Sequence, residues 1–447
     1  MGGRRVLTAL AVAGLAACGD DAPAARDHFT SGTRLRAQWW EFAGGTTLFR
    51  GFVDTARGEP CWFDELVGPS GVDRCLPSGA LTFFRRSATS FADPACTEPV
   101  VSASGAEPAV LAVPDDACAS EPALFELGPV AATHYRRDAG GACVVETAGL
   151  FHTLGPAIPL DRFAAATPTV EPAGGRIDGY ALVADDGARQ VIGGWDRDRG
   201  ERVVDSPELP DGRWSPRGIA YADVGVFADA GCTRAVARKY GDSAVCPVTT
   251  ILGAGGHWAA GARIDPRALF RRDGAGACVA FSDDRGDLFF EIGAPIAADA
   301  FAPLRTVAAG AGRVRRQDAA GPDGAPILPR WEAPLLDTAT AQPCAVRVAS
   351  DGVARCLPQR YDGGYFADAA CTQPVLQASA PPALVAIEDR AAAMFVVRPV
   401  GAPYAAATVY VQQPTGCTGV PRVDGFDYFL LGAARAPADF AAAIAHD

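Results

Sequence analysis

Thirteen cysteines are the residues of this chain best suited to chemistry. Twelve lie beyond Cys18, at Cys61, Cys75, Cys96, Cys118, Cys143, Cys232, Cys246, Cys278, Cys344, Cys356, Cys371 and Cys417. An even number in an exported chain reads as a disulfide framework. A zinc centre would need closely spaced ligands, but there is no Cys-x-x-Cys, and the five histidines fall singly at 28, 134, 152, 257 and 446. The acidic groups Asp196-Arg197-Asp198 and Asp283-Asp284 lack the ligand spacing of a calcium loop and read as turns. No metal and no cofactor is therefore expected. Serine-hydrolase elbows, metalloprotease helices, phosphate loops and dinucleotide fingerprints are likewise missing from the sequence. Hydrolysis would need a carboxylate pair such as Glu41 and Glu146 assembled from distant loops.

The elements that position these residues come in three copies. Ser90 to Val100, SFADPACTEPV, returns as VFADAGCTRAV from Val226 and as YFADAACTQPV from Tyr365, so its cysteine recurs in steps of 136 and 139 residues. Each copy opens on a glycine just before an arginine, as Gly32-Thr33-Arg34, Gly175-Arg176 and Gly312-Arg313, and Arg74-Cys75-Leu76-Pro77 is answered by Arg213-Trp214-Ser215-Pro216 and Arg355-Cys356-Leu357-Pro358. A later turn recurs as HYRRDAGGACVVE from His134, LFRRDGAGACVAF from Leu269 and VYVQQPTGCTGV from Val409. The division expected is residues 32–172, 173–309 and 310–447, behind a signal of residues 1–18 and a polar tether of residues 19–31.

Most pieces are short alternating or β-branched and aromatic runs between Gly, Pro and Asp clusters, the signature of strands and turns. The expected class is all-β, with ten or eleven strands per copy and a turn or two of helix only at Ala-rich ends such as Ala436 to His446. A closed β-propeller-like body is favoured, because it accommodates many short strands without exposed edges. Three sandwich or barrel modules on a string are the alternative.

Comparing the copies suggests how the cysteines pair. The second copy carries Val203 and Trp214 where the others have Cys61 with Cys75 and Cys344 with Cys356. Joint absence is what bonded partners would show, so Cys61–Cys75 and Cys344–Cys356 are expected, each stabilising by about 3 kcal/mol on the chain-entropy model. The third copy retains only Cys371 and Cys417, which pairs them and, by position, Cys96 with Cys143 and Cys232 with Cys278. Cys118 and Cys246 then remain to join the first two copies. The rival is local: Cys96 with Cys118 and Cys232 with Cys246.

Residues present in one copy only are candidates for a site, since fold residues should recur. Trp39, Trp40 and Glu41, His134 beside Arg136 and Arg137, Trp195, and His257 with Trp258 qualify as possible ligand-binding residues, although the arginine pair recurs as Arg271-Arg272 and reads as part of the turn. Aromatics beside polar groups are what glycan or peptide recognition uses. Aromatic packing of a core would produce the same residues. The 40 basic and 52 acidic side chains give a net charge of −12, which argues against nucleic acid as a partner.

Arg4 and Arg5 precede an apolar run from Val6 to Ala17, of signal-peptide length, ending in Leu15-Ala16-Ala17-Cys18. This resembles the bacterial lipobox, which implies diacylation of Cys18, cleavage before it and attachment to the membrane through the acyl chains. Gly19 rather than Asp follows, so the outer membrane or cell surface is the expected place. Together with Gly58-Glu59-Pro60-Cys61, Arg74-Cys75-Leu76-Pro77 and the Phe-Ala-Asp-x-x-Cys-Thr stretches, the lipobox resembles uncharacterised repeats of lipoproteins from GC-rich genomes of the myxobacterial type. The resemblance implies export and repetition, and transfers no activity and no site residues. The expectation is an envelope protein acting as a non-catalytic β scaffold that binds a glycan, peptide or protein; a hydrolase of envelope or extracellular polysaccharide is the alternative.

Overall fold

The computed structural model describes residues 28–63, 70–84, 90–103, 107–113, 121–137, 142–146, 149–205, 212–240, 247–253, 256–281, 287–324, 326–329, 334–361, 364–389, 392–413, 416–423 and 425–446. The signal, Cys18, Cys118 and Cys246 lie outside them. The regular structure of the described residues is nearly all strand: forty strands and three single turns of 3-10 helix. No helix among them is long and apolar enough to cross a membrane.

Each copy begins with an antiparallel meander. In the first it runs Leu35–Phe42, Thr47–Asp54, Glu59–Phe63 and Asp73–Pro77, and the same order recurs from Ile177–Ala184 and from Val314–Ala320. A second, barrel-like sheet follows. In the second copy Ile219–Phe227, Ala235–Lys239, Leu288–Ile296, Gly256–Ile264 and Thr250–Gly253 pair in succession, and the last pairs back with the first. Five strands thus close a small barrel around Ala220, Ala237, Ile251, Leu288 and Phe290. The barrel strands bend at paired glycines. A Cβ on Gly293 would stand 2.7 Å from the Ala259 carbonyl, and one on Gly155 2.9 Å from that of Glu126, so neither position accepts a side chain without moving the facing backbone.

The Ala-rich ends carry the helical turns of the described residues, one in each copy. Leu160–Arg162, Ala298–Ala300 and Pro437–Asp439 are single 3-10 turns. Each is followed by a buried phenylalanine, Phe163, Phe301 or Phe440, and then by a strand. These closing strands link the copies. Ala165–Glu171 pairs with Ile177–Ala184, Arg305–Ala309 with Val314–Ala320, and Ala443–His446 with Leu35–Phe42. The last strand of the chain therefore completes the first sheet, and the succession of sheets is cyclic.

Polar contacts follow the same cycle. Asp186, in the first hairpin turn of the second copy, accepts the backbone N–H groups of Arg34 and Leu35 at 2.7 Å each. Asp323 from the third copy sits so close to Gly175 that a Cβ there would lie 2.1 Å from its carboxylate. Thr46 from the first copy donates its hydroxyl to the Val314 carbonyl at 2.7 Å.

Two arginines clamp each copy internally. Arg34 grips Asp54 at 2.8 and 2.6 Å and also donates to the Arg162 carbonyl. Arg176 does the same with Asp196 and Ala300, and Arg313 with Asp337 and Asp439. The three aspartate side chains are each 1% exposed, and hydrogen bonding to them raises each guanidinium above its ordinary value. Arg74, Arg213 and Arg355 donate to the carbonyls of Phe163, Phe301 and Phe440.

The Phe-Ala-Asp-x-x-Cys stretch is a tight turn around its own carboxylate. Asp93 accepts the N–H groups of Ala95, Thr97 and Glu98 and the Thr97 hydroxyl. Asp229 repeats most of this, and the bonds from Glu98 and Arg234 hold the two carboxyls below the usual range. Wrapping the turn forces Cys96, Cys232 and Cys371 to φ values of 54°, 50° and 53°. Among the described residues five disulfides form: Cys61–Cys75, Cys96–Cys143, Cys232–Cys278, Cys344–Cys356 and Cys371–Cys417. With Cys96 and Cys232 so engaged, the local rival bonds to Cys118 and Cys246 do not form.

Where the second copy lacks its meander disulfide, Trp214 is fully buried beside Val203, Ile177, Ala302 and Ala319, and its indole N–H donates to the Ala320 carbonyl at 3.2 Å. An indole thus replaces a staple and also ties the second copy to the third. Trp214→Ala should lower unfolding stability by about 3–5 kcal/mol, the range for emptying a buried aromatic site, measured by denaturant titration of the oxidised protein.

Candidate functional site

The candidate aromatics lie in separate places. Trp39 and Trp40 are neighbours on Leu35–Phe42 and therefore point to opposite faces. Trp39 packs edge-on to Phe29 and Phe49, while Trp40 packs against the cluster of Phe42 and Val314 with the Arg50 guanidinium 4.9 Å above its ring. Glu41 meets His446 at 3.0 Å across the closing strand. Trp195 stacks on Tyr180. His257 is edge-on to Phe301 with ring centroids 5.0 Å apart, and Trp258 packs on the second barrel core. Each makes contacts that a core or strand junction requires. Glu41 and Glu146 stand in separate sheets, each beside a histidine of its own.

His134 and Glu146 mark a different arrangement. They oppose each other across the hairpin His134–Arg137 and Cys143–Glu146, and Ser90–Phe91 pairs on the other side of His134–Arg137. Three polar groups meet on one face. Ser90 Oγ lies 3.5 Å from Glu146 Oε2, and His134 Nε2 lies 3.7 Å from the same oxygen. Arg136 Nε is 3.6 Å from Glu146 Oε1. Ser90 and His134 are 7% and 5% exposed, the histidine ring lies 4.2 Å from the Phe151 ring, and His134 Nε2 has no hydrogen-bond partner.

The other copies make these positions apolar. Ser90, His134 and Glu146 correspond to Val226, Leu269 and Phe281, which pack around Phe289, and to Tyr365, Val409 and Val420, which pack around Tyr428. The first copy thus replaces a continuous apolar contact by three polar groups whose spacings exceed ordinary hydrogen-bond lengths. Such a placement costs stability where it is made, which makes the three groups the candidate site of the first copy. Ser90 heads the first motif copy and belongs to this cluster. Its signal was visible in the sequence, since the matching positions are Val and Tyr. Among the described residues no group of three or more His, Cys, Asp or Glu is arranged to hold a metal ion.

His257 yields a pH prediction. Burial first, and then the charge of Arg213, holds its imidazole below the ordinary value of 6.5. The folded state therefore keeps it neutral while the unfolded chain takes a proton, so stability is complete above pH 6.5 and declines below it until the folded-state value is passed. The first copy has Leu124, fully buried, at the matching position. His257→Leu should flatten the acid limb of a plot of melting temperature against pH while leaving the melt above pH 7 unchanged.

No curated protein and no solved structure matches the chain. Residues 168–436, more than half of its length, match the model of a family of unknown function. The chain belongs to that family, DUF7481.

Proposed function

We propose that the protein is an exported, lipid-anchored envelope scaffold in which a rigid three-copy frame presents a binding site built on the first copy. The observation that carries this reading is the polar set Ser90, His134 and Glu146 where both other copies keep apolar core residues. A frame held by three matching Arg–Asp clamps can tolerate local divergence in one copy. Division at 32–172, 173–309 and 310–447, and a Cys118–Cys246 bond between the first two copies, belong to the same proposal. Cyclic strand pairing favours a closed, propeller-like body over modules on a string. Five disulfides fit an oxidising compartment outside the cytosol.

Hydrolysis is the second reading, favoured by the Glu146 carboxylate standing beside both a serine and a histidine. The two readings separate in one assay. A binder retains labelled envelope polysaccharide unchanged, whereas a hydrolase releases fragments, and Glu146→Gln should abolish that release. The anchor is tested by growth with labelled palmitate in a bacterial host. Wild-type protein should carry the label and partition with membranes, and Cys18→Ala should be unlabelled and lose membrane association; equal labelling of both would remove the anchor.

A further inference from the structure

The first copy differs from the others at a second place. A groove of about 510 Å³ opens between its barrel and its 3-10 turn, lined by Arg57, Glu107, Glu126, Gly128, His152 and Arg162 among others, and Glu107 is already engaged by an interaction of its own. That volume lies within the range of small-ligand clefts, about 300–1,000 Å³. His152 is 8% exposed. Its Nδ1 stands 2.9 Å from the Gly128 carbonyl, which can only accept, so Nδ1 carries the proton. In that tautomer Nε2 is the acceptor, and it has no partner.

The copies again show what the fold alone requires. Aligned on the glycine shared by Gly155, Gly293 and Gly432, His152 corresponds to Phe290, in the second barrel core, and to Phe429, packed against the Leu376 cluster. Arg162 corresponds to Ala300 and Asp439, and Glu126 to Ala259 and Pro399. No ion pair among those of the described residues engages the Arg162 guanidinium, while Arg57 is already held by Glu59 and the Phe163 ring. The groove therefore combines a cation able to grip a carboxylate with two acceptors, His152 Nε2 and the Glu126 carboxylate, suited to hydroxyl groups.

We propose that this groove is a binding site for an acidic saccharide, a uronic acid unit whose carboxylate pairs with Arg162 and whose hydroxyls donate to His152 Nε2 and Glu126. This deepens the binding-scaffold reading and rests on it. A bound hydroxyl supplies the partner that His152 lacks and explains why a barrel aromatic was given up.

The test is calorimetric titration of the full mature chain with trigalacturonic acid, with maltotriose as the neutral probe and inorganic phosphate as the simple anion. Arg162→Ala and His152→Phe install residues that the other copies carry at these positions, so both should fold; Arg305→Ala, outside the groove, is the control. The expected result is binding of the acidic trisaccharide alone, weakened about tenfold or more in each groove variant, the size of a lost charge-assisted or buried hydrogen bond, and unchanged in Arg305→Ala. If phosphate competes equally well, the site is a simple anion site and the saccharide assignment fails. If trisaccharide binding persists in both groove variants, the groove is overturned while the scaffold reading stands. If the wild type binds none of the probes, the acidic-saccharide site is overturned, and retention of whole envelope polysaccharide decides the scaffold reading separately.

Discussion

The bidentate pairing of an arginine with a buried aspartate, made three times, is the interaction on which the frame depends. Arg34, Arg176 and Arg313 each bond Asp54, Asp196 or Asp337 and a carbonyl of the distant 3-10 turn, so one guanidinium joins the start, the middle and the end of a copy. A buried carboxylate without its partner would be costly, which makes each clamp obligatory once the aspartate is enclosed. Arginine suits the place because its planar fork serves carboxylate and carbonyl at once; the compact ammonium of lysine would not.

Around these clamps the molecule handles one problem in different ways in different copies. The meander is stapled by a disulfide in the first and third copies and by an indole in the second. The cyclic contacts use a carboxylate at Asp186 and Asp323 and a hydroxyl at Thr46. Such exchange of chemistry at constant geometry shows that position, more than residue type, is what the frame requires. Where the first copy departs from both others, as at Ser90, His134, Glu146 and His152, the departure runs against burial, and that is what singles these positions out for the proposed binding role.

Much of the frame was legible in the sequence because repetition made it so. Strand class, the three motif copies and the grouping of cysteines all follow from comparing short segments, and a turn such as Asp93 to Glu98 carries its structure locally. The cyclic closure was not legible: nothing in Ala443 to His446 says that it will pair with Leu35–Phe42, since strand pairing between distant segments leaves no periodic mark. Nor does Gly175 announce that a third-copy carboxylate will press on it. The aromatics singled out by uniqueness, such as Trp39 and Trp258, make packing contacts in the structure, as an unmatched tryptophan does whether it is a local filler or a ligand platform. The better signal was an apolar position turned polar in one copy.

The closing strand also sets an order of events. Leu35–Phe42 leaves the ribosome early, yet the edge it offers to Ala443–His446 has no partner until that distant strand has been made. Pairing across nearly the whole chain length is slow to form, and an open strand edge invites association with other chains meanwhile. The barrels and hairpins can fold and form their disulfides from nearby segments, so each copy can mature locally while the cycle stays open. Assembly therefore ends in one late step, and the interval before it is when a nascent chain would most need protection from others of its kind.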